Sequence, residues 1–155
     1  IAVIGSFIFG TDSDSPNVFD DTVRFIEESK MAAQNLSIIC PLPGTRLFNK
    51  LFQSGRLLHT NFPEDWGRYI FKEPMVLGLD NNSSPLDLYK KMREAEHRLN
   101  NKPALLKRTL RTLWETRSLY AAVTALAWNL GGSWRMRDYR DQIKQLKEEE
   151  MARTA

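Results

Sequence analysis

The first ten residues, Ile1 to Gly10 (IAVIGSFIFG), carry one polar side chain, Ser6, in a run rich in β-branched and aromatic types. No other stretch constrains the fold as tightly. Apolar residues without polar alternation read as a strand covered on both faces, the usual state of strands in parallel sheets flanked by helices. The sequence thus predicts a strand over Ile1 to Phe9, inside a sheet and not at its edge. The cluster TDSDSP follows, in which Ser15 is placed to cap a helix and Pro16 to occupy its first turn. Phe19, Val23 and Ile26 recur at helical spacing, so a helix from Pro16 to about Met31 is expected, its apolar stripe facing the sheet.

The same unit then repeats. Leu36 to Cys40 (LSIIC) reads as a second strand, stopped by Pro41-Leu42-Pro43-Gly44, because proline cannot continue a ladder. Thr45 is the expected cap of a further helix with Leu47, Phe48, Leu51 and Phe52 on its buried face, ended by Gly55. Two successive strand-loop-helix units imply an α/β fold with the strands parallel and adjacent. After Arg56 the chain is rich in Pro, Asn and Asp, with one short strand expected over Arg68 to Lys72. Ser84-Pro85 then opens a helix to about Leu99. A long amphipathic segment follows, its stripe formed by Leu105, Leu106, Leu110, Leu113, Tyr120, Val123, Ala127 and Leu130 and its end set by Gly131-Gly132. A charged helix is expected from Trp134 to Met151. The division that results is an α/β part over 1–72 and a helical part over 73–155.

Composition narrows the chemistry. A single cysteine, Cys40, in 155 residues cannot form an internal disulfide or a cysteine-ligated cluster. With no secretory pattern and no apolar run of membrane-spanning length, the cytoplasm is the expected location. Between Lys90 and Arg140 there are twelve Lys/Arg and four Asp/Glu. A solvated helix face accounts for this excess without a nucleic-acid partner, because no aromatic-and-basic recognition motif accompanies it. Cys40 is expected as a small buried residue. His59 and His97 are expected at the surface, Trp66 and Tyr69 as packing residues, and Leu119 to Leu130 as core, although Arg111, Arg117, Arg135 and Arg137 around it would also suit a membrane interface.

Ligands of parallel α/β folds bind beyond the carboxyl ends of the strands, which singles out the loops Gly10 to Ser15 and Pro41 to Thr45. Gly10 permits a positive φ or a close backbone approach, and Asp12 and Asp14 offer acceptors for hydroxyl or amino groups. Spacing alone favours a helix-capping turn over a ligand site.

SFIFGTDSDSPNVFDDTVRF resembles the fifth-strand segment, and SIICPLPGTRLFNKLFQSGRL the sixth, of radical S-adenosylmethionine proteins that carry a cobalamin-binding domain. EDWGRYIF is similar to a W-x-x-Y segment of the same family. The resemblance implies a C-terminal piece of a radical S-adenosylmethionine α/β barrel followed by a helical extension. It implies contacts to the adenosyl part of S-adenosylmethionine from Ile8, Phe9, Gly10, Ile39, Cys40 and Pro41, with Asp12 and Asp14 in the same loop, and it names no catalytic residue. Ser6 stands where the wider superfamily often has glycine. The CxxxCxxC motif that holds the 4Fe-4S cluster is absent, so cluster and cobalamin are expected in a preceding part of the same polypeptide. The chain alone is then expected to be inactive, to expose unpaired strand edges and to self-associate. Its substrate, a small molecule or a lipid, is not specified. A non-catalytic helical adaptor that docks on nucleic acid or an acidic partner is the alternative from a different class, and an unrelated barrel piece holding a phosphorylated ligand at Gly10 or Gly44 is a third.

Overall fold

Two parallel strands, β1 (Ile4–Phe9) and β2 (Ala33–Ile38), pair in register from Ile4 opposite Ala33 to Phe9 opposite Ile38. They form the centre of a computed structural model that describes residues 1–69 and 84–134, together with Lys144, Lys147, Glu148 and Met151. Helix α1 (Val18–Glu28) connects the strands, and α2 (Arg46–Gln53) follows β2. A 3-10 turn occupies Glu64–Arg68, and three helices complete the described chain: α3 (Pro85–Asn100), α4 (Lys102–Thr116) and α5 (Leu119–Trp134). The chain is α/β, as the alternation of apolar runs and helical stripes requires. Among the described residues the sheet has two strands, which is no barrel.

The pairing register corrects both strand boundaries. β2 begins at Ala33, three residues before the apolar run, and so takes in Gln34 and Asn35. Gln34 is buried there because Arg108 of α4 donates to its Oε1 at 2.6 Å and its own amide donates to Asn100 at 2.8 Å. A polar residue enters a buried strand when its bonds are met elsewhere in the fold, and those partners lie 66 and 74 positions away. At the other end Ile39 N–H donates to Phe9 O at 2.7 Å, after which the chain turns into Pro41.

β1 is not covered on both faces. Gly5, Phe7 and Phe9 point toward the helices, while Ile4, Ser6 and Ile8 are exposed. Alternate strand residues face opposite sides, and among the described residues the side of β1 that carries Ile4, Ser6 and Ile8 is left exposed. The expectation of an interior, two-sided strand therefore fails for the described residues, and β1 is an edge.

The main core lies between the covered face and α1 and α3. Phe9, Phe19, Val23, Ile26, Leu36 and Ile38 pack with Leu86, Leu88, Tyr89, Met92, Ala95 and Leu99, and the Phe9 and Phe19 rings stack with centroids 4.4 Å apart. Residues on either side of position 72 thus share one core. Helix α1 starts at Val18, after Asn17, and not at Pro16, because Ser15 engages Val18 through its carbonyl in a turn and makes no side-chain cap. It ends before Lys30, which takes a left-handed φ of 56°. Thr45 caps α2 as expected, its Oγ1 accepting from Phe48 N–H at 3.2 Å, and Gly55 adopts a φ of 67°. Phe48 and Leu51 are buried in a second cluster with Leu57 and Tyr69, whereas Phe52 is exposed. Ser84 caps α3 through Asp87 N–H at 3.1 Å.

The largest departure concerns α4 and α5. Of the eight residues expected to form their buried stripe, Leu105 alone is buried: Leu106, Leu110, Leu113, Tyr120, Val123 and Leu130 are all exposed. Ala127 is exposed as well. The inward face carries Arg108, Thr112, Ala122, Ala125 and Asn129 instead. Nor do Gly131 and Gly132 end α5, which continues to Trp134. Glycine in a helix costs only about 1 kcal/mol relative to alanine, and no left-handed turn is formed there. The expected strand over 68–72 lies outside the described residues beyond Tyr69, and so does most of the expected helix 134–151.

Candidate functional site

The loops after β1 and β2 open at the same end of the sheet, because the strands are parallel and each loop follows a carboxyl end. Asp12 ties them together. Its carboxylate accepts from Lys50 Nζ of α2 at 3.0 Å and from Arg56 Nη1 just beyond that helix. These bonds, that from Arg56 first, hold the Asp12 carboxyl below the usual aspartate range. Asp14 closes its own loop: its Oδ2 accepts from Gly10 N–H at 2.7 Å and Thr11 N–H at 3.2 Å, and its Oδ1 accepts from the Thr11 hydroxyl. Both carboxylates are thus engaged in organising the loop, a role their positions in TDSDSP leave open.

Gly10 has a φ of 96° and is buried. A Cβ placed on it would meet Ile39 Cγ2 at 3.1 Å and Leu88 Cδ2 at 3.4 Å. The glycine is required by the turn and by close packing of β2 and α3 against it. Gly44 shares the left-handed conformation, with a φ of 86°, but has open space around it.

The expected contact residues divide between two faces. Ile8 is 60% exposed on the uncovered side of β1, beside Ile4 and Ser6, and Ser37 of β2 is fixed nearby by donating to Phe7 O at 3.2 Å. Phe9, by contrast, is 1% exposed within the core. Ile39 and Cys40 are half-buried against the Phe48 cluster, and Pro41 is fully buried. Cys40 is thus less enclosed than its strand-end position predicts.

Beside Cys40 the connection after α2 packs aromatic rings. Phe62 lies 5.8 Å from Phe48 and 5.6 Å from Tyr69 between centroids. The Tyr69 hydroxyl donates to His59 O at 2.6 Å, and burial, followed by the nearby charges of Asp65 and Cys40, raises its pKa above the ordinary value. Tyr69 packs as expected, whereas Trp66 is exposed with only an edge contact to Phe62. His59 is not a surface residue. Its side chain is 11% exposed, with Nδ1 4.0 Å from Asp65. His97 is exposed as expected. Among the described residues no three His, Cys, Asp or Glu side chains are grouped to hold a metal, and no described helix is long and apolar enough to cross a membrane.

Lys50, Arg56 and Arg108 are the residues that sequence reasoning missed. The basic-helix reading placed Arg108 on a solvated face, yet it is 7% exposed. Its Nη1 donates to Gln34 and Asn129 and its Nη2 to Leu99 O at 3.0 Å. Desolvation, followed by the neighbouring Arg111, lowers its pKa. No local signal distinguishes it from Lys107.

The two loop carboxylates yield a direct test. Asp12 has a folded-state pKa below its unfolded value, so its contribution to stability is complete above pH 3.8 and is lost as pH falls through the folded value. The side chain is 48% exposed, which limits the effect to under about 1 kcal/mol after solvent screening. Asp12→Asn should therefore lower the urea midpoint slightly at pH 7, and the gap to wild type should narrow on acidification. Asp14→Ala removes three bonds, two to backbone N–H groups, and should cost about 2 kcal/mol at pH 7. Equal effects of the two substitutions would contradict this assignment.

Three curated proteins are similar to parts of the chain. The hopanoid C-2 methylase of Rhodopseudomonas palustris (strain TIE-1) is 28% identical over 79 residues, 51% of this chain and 15% of that protein. Two proteins of Chlorobaculum tepidum also match. The bacteriochlorophyllide d C-12(1)-methyltransferase is 37% identical over 79 residues, 50% of this chain and 17% of the relative. The bacteriochlorophyllide d C-8(2)-methyltransferase is 28% identical over 123 residues, 79% of this chain and 25% of the relative. The chain thus spans a quarter or less of each relative. No family model and no solved structure matches it.

Proposed function

We propose that the chain is one segment of a radical S-adenosylmethionine methyltransferase and forms part of the wall of its adenosyl site. The observation that carries this reading is the side of β1 left exposed among the described residues, where Ile8 lies next to the carboxyl ends of two parallel strands. A sheet face with apolar residues and no helical cover is a surface prepared for further strands or a ligand. The similarity to three proteins named for methyl transfer agrees with it.

The residues fit the adenosyl group selectively. Ile8, with the half-buried Ile39 and Cys40, offers apolar contact, and the buried Pro41 follows Cys40 directly. Asp12 and Asp14 are a poor fit as ribose ligands, since their oxygens already accept from Lys50, Arg56, Gly10 and Thr11. One cysteine does not fit a 4Fe-4S cluster, and that cluster and cobalamin belong to other parts of a longer polypeptide. There the cluster would supply the electron for reductive cleavage and cobalamin the methyl carrier. This chain's residues would exclude water from one side of the adenosyl group.

Two measurements test the reading. The chain alone, treated anaerobically with iron and sulfide, should hold no cluster and negligible S-adenosylmethionine; stoichiometric iron with tight binding would overturn the division of labour. In the longer polypeptide, Ile8→Glu should raise the Kd for S-adenosylmethionine about 10-fold or more, since it replaces apolar contact by a charge. It should leave the urea midpoint of this exposed position nearly unchanged. Unaltered affinity would remove Ile8 from the site.

A further inference from the structure

The α4–α5 hairpin is patterned with its polar residues inside and its apolar ones outside. On α4 the inward face carries Arg108 and Thr112, while Leu106, Leu110, Leu113 and Trp114 recur at helical spacing on the outward face, with Leu106 62% and Trp114 85% exposed. α5 repeats the arrangement. Ala122, Ala125 and Asn129 are buried, and Leu119, Tyr120, Val123 and Leu130 are exposed, Tyr120 by 82%. Exposed leucines scattered singly need no explanation, but two adjacent helices with apolar outward stripes mark an interaction surface.

The composition of the stripe says what it meets. Lys102 lies four residues before Leu106 and Arg117 three after Trp114, so a cation stands at each end of the α4 stripe, and Lys107 flanks it. All three are exposed. The one acid of the hairpin, Glu115, sits about 140° round the helix from Leu110 and lines a recess beside Met31 and Thr116. α5 carries no charged residue from Leu119 to Trp134. Leucines bordered by indole and phenol rings, with lysine and arginine at the rim, match the boundary between acyl chains and anionic headgroups. At 15 and 16 residues the helices suit the plane of that boundary and do not suit spanning it.

We propose that the outward face of α4 and α5 is an interfacial surface that docks this protein on an anionic lipid bilayer. The stripe supplies apolar insertion, and the cations supply attraction to the headgroups. This proposal is independent of the adenosyl-site reading.

Flotation of the chain with vesicles of equal parts phosphatidylcholine and phosphatidylglycerol tests it, with sedimentation velocity run in parallel without lipid. Wild type should float with these vesicles and show a blue-shifted tryptophan emission, and should bind more weakly to phosphatidylcholine alone. Trp114→Ser combined with Tyr120→Ser, both at exposed positions, should weaken vesicle binding ~10-fold or more. Lys102→Glu with Lys107→Glu should weaken binding to the anionic vesicles alone, and His97→Ala should do nothing. Circular dichroism confirms that each variant keeps its helices. Absence of flotation overturns the proposal. So does flotation that the Trp114/Tyr120 variant retains in full. Lipid-independent dimerisation abolished by that variant would instead assign the face to a second copy of the chain.

Discussion

Gly10→Val should destabilise the fold by about 3 kcal/mol, far more than the same change at Gly44. A β-branched residue at a φ of 96° costs roughly 1 to 2 kcal/mol in backbone strain. Its added methyls must also displace Ile39 and Leu88, already 3.1 and 3.4 Å from where a Cβ would stand, and overpacking of this kind costs about 1 to 3 kcal/mol. Gly44→Val incurs the strain but meets nothing within 4 Å, so about 1 to 2 kcal/mol is expected there. Urea unfolding of the two variants separates the terms. If Gly10→Val proves no worse than Gly44→Val, the packing role of Gly10 is wrong. The comparison also bears on the adenosyl site, since a loss of cofactor affinity in Gly10→Val would reflect a displaced β1–α1 loop before any direct contact.

Arg108→Ala should be about as costly, roughly 3 kcal/mol or more, from orphaned buried acceptors and a cavity. The guanidinium joins β2, α3, α4 and α5 through Gln34 Oε1, Leu99 O and Asn129 Oδ1, and Asn129 in turn donates to Ala32 O at 3.0 Å. No carboxylate takes part in these bonds, and Glu27 acts on the charge only through space. Deleting the guanidinium leaves three buried acceptors without their donor and a cavity behind. A double-mutant cycle with Gln34→Leu checks the mechanism. The cost of Arg108→Ala should fall in the Gln34→Leu background, because one of the orphaned acceptors is already gone. Strict additivity would mean that the two residues do not act as a unit.

The Phe19, Val23 and Ile26 stripe, the Thr45 and Ser84 caps, the left-handed Gly55 and the parallel pairing of the first two strands were all legible in the sequence. Each depends on contacts within a few residues or on a short crossover, and local rules of spacing and capping govern those. The loops at one end of the sheet were legible for the same reason. Their chemistry was not: Asp12 and Asp14 look alike in TDSDSP, and only the arrival of Lys50 and Arg56 on one, and the return of Gly10 and Thr11 to the other, gives them their roles. Tertiary structure likewise decided which face of α4 and α5 turned inward. Periodicity shows that a helix has an apolar stripe, but not whether the rest of the molecule has an apolar surface to receive it. Here the inward position went to Arg108 and Asn129, whose hydrogen bonds to β2 and to the carbonyls of Leu99 and Ala32 fix the hairpin's orientation and leave its leucines and Trp114 outside. Those partners lie far apart along the chain, and no pattern within the sequence of either helix encodes their meeting.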